Sequence, residues 1–190
     1  MRFFLGTLLF FVILLLPAEN SFAQGIEGKA QICSACHGEK GVPIDPKIPA
    51  IWGQQAGYLY MQLRDFKLGH RKNEQMAPIA AALSRDDMMG LAEYFSKKPW
   101  PNFGEKRAPD DMVHRAEVVA GSGQCTQCHL GGYLGASTTP RLADQSEPYL
   151  LKTMQDFRSG ARGNNAWMTD LLRTYKDEDI QALAAYLAGL

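Results

Sequence analysis

The segment CSACH (33–37) returns 92 residues later as CTQCH (125–129), and the chain around it returns as well. The stretch 49–71, PAIWGQQAGYLYMQLRDFKLGHR, aligns with 140–162, PRLADQSEPYLLKTMQDFRSGAR, at an offset of 91. A one-residue insertion then restores 92, so Met76 recurs as Met168 and LAEYF (91–95) as LAAYL (183–187). An internal duplication sets the domain count before any element is assigned. Between the copies, 98–109 carries three prolines and mixed charge without periodicity, which reads as a linker. The units expected are 24–97 and 110–190. A core of about 80 residues is marginal and is usually reinforced by a metal, cofactor or crosslink.

Apolar residues within each copy recur at helical spacing. Leu59, Leu63 and Phe66 share a face, as do Leu150, Met154 and Phe157, with Gly69 and Gly160 as stops. Ser84 and Asp87 form a capping-box pattern ahead of Met88, Leu91, Ala92 and Phe95. Asp177 is the expected cap before Ile180, Leu183, Ala184 and Leu187. A helix is also expected to lead into each cysteine motif. No alternating strand pattern stands out, so the fold class expected is all-α.

The N-terminus carries Arg2, a 14-residue apolar run at 3–16, Pro17, and small residues Ser21 and Ala23 at signal-peptidase spacing. Spanning a bilayer takes about 20 residues. Residues 1–23 therefore read as a signal peptide cleaved after Ala23, with the mature chain exported to the periplasm. With 20 Lys and Arg against 20 Asp and Glu, the formal net charge is zero, and no nucleic acid or other polyelectrolyte partner is implied.

Four cysteines in an exported chain would ordinarily suggest disulfides, but Cys33 with Cys36, and Cys125 with Cys128, each form Cys-x-x-Cys with a histidine directly after. Two thiols one helical turn apart suit thioether bonds to the two vinyl groups of a haem, while the adjacent imidazole, His37 or His129, reaches the iron. Structural zinc would need a fourth ligand, and only His70 and His114 remain, neither repeated in the other copy. A thioredoxin-like dithiol would need a βαβ context that the pattern lacks. Two covalent haem c groups, with their iron, are the expected cofactors.

A sixth ligand is found through the repeat. Among eight methionines only Met76 and Met168 are methionine in both copies, each 39 residues beyond its histidine. Both follow polar stretches between expected helices, where a loop would carry sulfur to iron.

These residues resemble the class I cytochromes c, and their tandem arrangement is similar to the dihaem cytochrome c4 family, over essentially the whole mature chain. The resemblance implies two class I cytochrome c domains, each with a covalently bound c-type haem. It implies that Pro49 and Pro140 offer their carbonyls to the Nδ1 atoms of His37 and His129. It also implies haems facing each other across the domain interface with propionates near it. Tyr58 and Tyr149, Gln54 and Gln145, and Arg71 and Arg162 stand at matching positions as candidate propionate partners, packing and solvation being the alternative. One departure is Asp144 where the first copy has Gly53, an expected disturbance of the local turn. Trp52, Trp100 and Trp167 share no register, and Trp100 is a candidate staple between domains.

The function expected is a dihaem one-electron carrier in a respiratory chain, not an enzyme and without a small-molecule substrate. Membrane-bound respiratory complexes such as terminal oxidases, and other redox proteins, are the expected partners, with peripheral membrane association allowed. The alternatives are a dedicated cytochrome subunit of a dehydrogenase or oxidase complex, and a dihaem peroxidase. The last needs one open coordination site, which two methionine ligands would fill. Charge divides as 12 basic against 9 acidic residues over 24–108 and 7 against 10 over 109–190. The resulting dipole would orient docking.

Overall fold

The computed structural model describes residues 20–190, with side chains from residue 25 onward. The expected leader, residues 1–23, lies outside the described residues except for its last four positions. The elements are α-helical throughout: α1 (Asn20–His37), α2 (Ala56–Lys67), α3 (Met76–Ala81) and α4 (Arg85–Ser96), then α5 (Asp110–Ser122), α6 (Cys125–His129), α7 (Glu147–Ser159), α8 (Ala166–Arg173) and α9 (Asp177–Ala188). A single 3₁₀ turn spans Gly131–Tyr133, and no strand is present among the described residues. This is the all-α class that the periodicity implied.

The helices pack in two sets that follow the repeat. In the first, α2 lies against α3 and α4, and α4 against α1; in the second, α9 lies against α5 and α7, and α7 against α8. The first core gathers Ile26, Ala30, Leu59, Leu91, Ala92 and Phe95, and the second is larger, built on Val119, Leu150, Met154, Phe157, Leu172, Ile180, Leu183 and Leu187. Each fully buried aliphatic side chain among them contributes about 1.5–3 kcal/mol relative to exposure. Nearly all of the faces read from spacing are buried; Leu63 alone is half-exposed.

Helix ends show where local chemistry rules. Ser84 and Asp87 form the expected reciprocal capping box on α4. Gly160 ends α7 in the left-handed region at φ 80°, and Gly69 follows α2 at φ 75°, where a side chain would be strained. Asp177 is not the cap of α9. It is the first helical residue and pairs with Arg158, while the Asp179 carboxylate accepts from the Lys176 N–H at 3.0 Å. Copy one enters its cysteine motif on one continuous helix. Copy two breaks at Gly123 and Gln124, the latter at φ 51°, because Gly121 and Gly123 weaken the turn that Lys29 and Gln31 sustain in copy one.

The linker is anchored to both sets. Trp100 Nε1 donates to the Asp144 carbonyl at 2.9 Å and the Arg141 guanidinium lies 4.5 Å above its ring, both in the second copy, while its backbone lies against Gly53 of the first. Asp144 does not disturb its turn: it adopts φ 57° where Gly53 adopts φ 67°. The Asp144 N–H bonds to Leu187 O at 2.8 Å as the Gly53 N–H bonds to Phe95 O at 2.9 Å. Aspartate is among the few non-glycine residues that tolerate this region.

Candidate haem sites and the seam between them

Cys33, Cys36 and His37 occupy the last turns of α1, and Cys125, Cys128 and His129 make up most of α6. All four thiols are free. Burial pushes the Cys33 thiol up to about 11 and raises Cys125 as well, whereas a reactive redox dithiol needs a lowered value. Among the described residues no group of three or more His, Cys, Asp or Glu is gathered tightly enough to form a closed zinc shell.

The imidazoles are buried, and each Nδ1 meets a proline carbonyl: His37 with Pro49 O at 2.8 Å, His129 with Pro140 O at 3.0 Å. A carbonyl only accepts, so Nδ1 carries the proton and the lone pair stands on Nε2. Burial lowers both histidine pKa values, with the proline carbonyls partly opposing. The result is a neutral ring of defined tautomer, the form that ligates a metal.

Met76 and Met168 sit on short helices, not in the loops that the polar stretches suggested. Met76 opens α3 and Met168 lies in the first turn of α8. In both copies an asparagine three residues earlier accepts from the methionine N–H: Asn73 Oδ1 to Met76 at 2.9 Å, Asn165 Oδ1 to Met168 at 3.1 Å. That shared Asn-x-x-Met was visible in the sequence and carried a capping role the reading missed. Met168 packs on the same core as Cys125.

Where the two copies meet, the matched residues cross over. Arg71 Nη2 donates to Tyr149 Oη at 3.3 Å, and Arg162 Nη2 to Tyr58 Oη at 3.2 Å. Gln62 Oε1 accepts from Arg71, Arg162 and Asn164. Phe66 and Phe157 lie under the two guanidiniums at 4.7 and 4.2 Å. Among the described residues neither arginine has a carboxylate within ion-pair distance. Burial raises the Tyr149 pKa, but the two guanidiniums outweigh it and hold the phenol well below its ordinary range. Two cations sharing a desolvated seam without a carboxylate partner suit anionic groups such as haem propionates. Trp52 adds a buried Nε1 donor without an acceptor among the described residues. The residues present therefore fit a haem at each motif.

Gln54 and Gln145, read as possible propionate partners, do something else. Each reaches across to the backbone of the opposite copy: Gln54 to Arg141 N and O, Gln145 to Ala50 N and O.

Paired helical units, each with a Cys-x-x-Cys-His whose buried imidazole is seated on a proline carbonyl, define a tandem c-type cytochrome. The cytochrome c family model matches residues 113–190. Cytochrome c4 of Azotobacter vinelandii is 32% identical over 191 residues, covering 91% of this chain and 90% of the relative. A "Thiosulfate dehydrogenase electron acceptor" of Stutzerimonas stutzeri is 34% identical, covering 87% of this chain and 82% of the relative. The crystal structure of reduced recombinant cytochrome c4 from Pseudomonas stutzeri superposes with a TM-score of 0.78 at 30% identity, covering 88% of this chain and 98% of that one. The chain belongs to the cytochrome c4 family. It is an electron-transfer protein, not an enzyme, and its cofactors are two covalently bound haem c groups with their iron.

Proposed function

We propose that the chain is an exported, periplasmic one-electron carrier of a respiratory chain, with one haem in each of the units 24–97 and 110–190 joined by the linker 98–109. The observation that carries this reading is the repeated His–Pro pairing, which leaves Nε2 of His37 and His129 as the free lone pair of a buried neutral ring. Cys33 and Cys36, and Cys125 and Cys128, would hold the two groups by thioethers. His37 and His129 would be proximal ligands, and Met76 and Met168 distal ones. Haem iron, when bound, supplies a one-electron Fe(II)/Fe(III) couple whose potential methionine raises. Around it, Pro49 and Pro140 orient the histidines, Asn73 and Asn165 anchor the methionine turns, and Arg71, Arg162, Tyr58 and Tyr149 offer charge and hydroxyls to the propionates.

Membrane-bound respiratory complexes such as terminal oxidases are the proposed acceptors, reached by diffusion or peripheral association. A second reading makes a dehydrogenase the donor and this chain its dedicated acceptor. The relative named "Thiosulfate dehydrogenase electron acceptor", at 34% identity, favours it.

Haem quantification and an oxidised optical spectrum test the site. Two haems per chain and the red charge-transfer band of Fe(III)–Met ligation are expected, with Met76→Ala and Met168→Ala each removing about half of the band. One haem, or no band, overturns the assignment. N-terminal sequencing of the secreted form should begin at Gln24. Stopped-flow mixing with a quinol-fed oxidase and with a reduced dehydrogenase then separates the two partner readings.

A further inference from the structure

The Gln54 and Gln145 side chains close a crossed circuit between the copies. Gln145 Oε1 accepts from the Ala50 N–H at 3.0 Å and its Nε2 donates to the Ala50 carbonyl at 3.1 Å. Gln54 Oε1 accepts from the Arg141 N–H at 2.8 Å and its Nε2 donates to the Arg141 carbonyl at 3.0 Å. Each oxygen accepts a second backbone N–H as well, that of Ser146 on Gln145 and that of Gln55 on Gln54, so with two backbone donors and one backbone acceptor facing each side-chain amide only one orientation satisfies all three. Both glutamines are almost fully buried, at 3% and 2% exposure, so water does not compete for these bonds.

The residues gripped are the ones that follow the prolines. The Ala50 N–H belongs to the same planar peptide group as the Pro49 carbonyl, and the Arg141 N–H to the same group as the Pro140 carbonyl. A continuous path therefore runs from His37 Nδ1–H to Pro49 O, through one amide to Ala50 N–H, and on to Gln145 of the second copy. Its mirror runs from His129 through Pro140 and Arg141 N–H to Gln54 of the first copy.

We propose that Gln145 and Gln54 are positioning residues that tune the proximal histidine of the opposite domain, Gln145 acting on His37 and Gln54 on His129, each through the single peptide group between them. The inference rests on the reading of His37 and His129 as iron ligands. An acceptor on the amide N–H draws electron density onto its carbonyl oxygen, and bonds in such a chain strengthen one another by about 10–30%. The carbonyl then pulls harder on Nδ1–H and makes the imidazole a more electron-rich ligand. An electron-rich ligand favours Fe(III). Each glutamine thus lowers the potential of the haem in the other domain, and the domain interface becomes part of both redox sites.

The test uses the holoprotein carrying Gln145→Met or Gln54→Met, with redox titration of both haems and NMR of the hyperfine-shifted axial histidine ring protons in the oxidised state. The Gln145 variant should raise the potential of the haem on His37, shift the His37 ring signals and leave the other haem unmoved; the Gln54 variant should do the reverse. Equal shifts at both haems, or a shift only within the variant's own domain, overturn the proposal in favour of plain loosening of the interface. If the methionine variants do not assemble, Gln145→Asn, which withdraws the amide by one methylene, should move the same haem in the same direction. Absence of hyperfine-shifted His37 and His129 signals in the unmodified protein would instead refute the ligand reading. Signals present in it but unmoved in the variants refute only the tuning.

Discussion

The Arg71 guanidinium donates to the hydroxyl of Tyr149, a residue of the other repeat, at 3.3 Å. Arg162 and Tyr58 make the reciprocal contact, so each arginine serves the copy to which it does not belong. Arg71→Leu removes one positive charge from a desolvated seam that also faces Gln62. The variant should lower the haem potentials, since a nearby cation favours the reduced state, and lose about 1–3 kcal/mol of stability from unmade buried hydrogen bonds. Arg71→Lys should retain much of the potential while recovering only part of the stability. Spectroelectrochemistry and urea titration read both effects.

Asn165 caps α8 at Met168, and the Asn73 carboxamide, two residues ahead of the α3 cap position, accepts the equivalent bond from Met76 N–H. Replacing either by alanine should cost about 1 kcal/mol, the usual value of a lost N-cap. The loss should fall first on the methionine turn. On heating, the red charge-transfer band should fade at a lower temperature than helical circular dichroism in the variants, and more nearly together with it in the parent.

Gly53 and Asp144 share a left-handed turn but not the same surroundings. A Cβ at Gly53 would stand 3.0 Å from Trp100 N and 3.1 Å from Lys98 O. Gly53→Ala should therefore destabilise the protein by more than the roughly 1–2 kcal/mol of left-handed strain alone. Asp144→Ala should cost less, because that position already accommodates a Cβ. Denaturant midpoints for the pair check the order.

Asp87 pairs with Lys29 and closes the capping box with Ser84 at the start of α4, and these contacts hold its carboxyl at about 2, below its ordinary 3.8. The unfolded chain then binds this proton at higher pH than the folded one. The stability contributed is complete above the ordinary value and is lost as pH falls toward about 2. The stability gap between the parent and Asp87→Asn should be widest at neutral pH and close over that acidic window. Thermal melts across the range measure it.

The split of charge between the halves, 12 basic to 9 acidic and then 7 to 10, gives a field that orients a charged partner. Electron exchange with a redox partner should slow as ionic strength rises and the screening length shortens. A flat salt response would remove steering from the account.

Much of the site was legible because it is written locally. Cys-x-x-Cys-His at 33–37 and 125–129 names its chemistry in five consecutive residues, and the duplication singled out Met76 and Met168 by comparing the chain with itself. Helical faces such as Leu150, Met154 and Phe157 follow from a period of 3.6 and the need to bury apolar area. Other features depended on partners far along the chain. The helix beneath Met168 is eight residues long, and its polar lead-in hid it. The roles of Gln54, Gln145, Arg71 and Arg162 depend on atoms 78 to 104 residues away, and no periodicity encodes which polar side chain will meet which distant backbone group. The sequence by itself determined two like helical units and the attachment chemistry of each. Only the tertiary structure decided that the units interlock through their matched polar residues, because buried amides and guanidiniums must find partners, and here those partners lie in the opposite repeat.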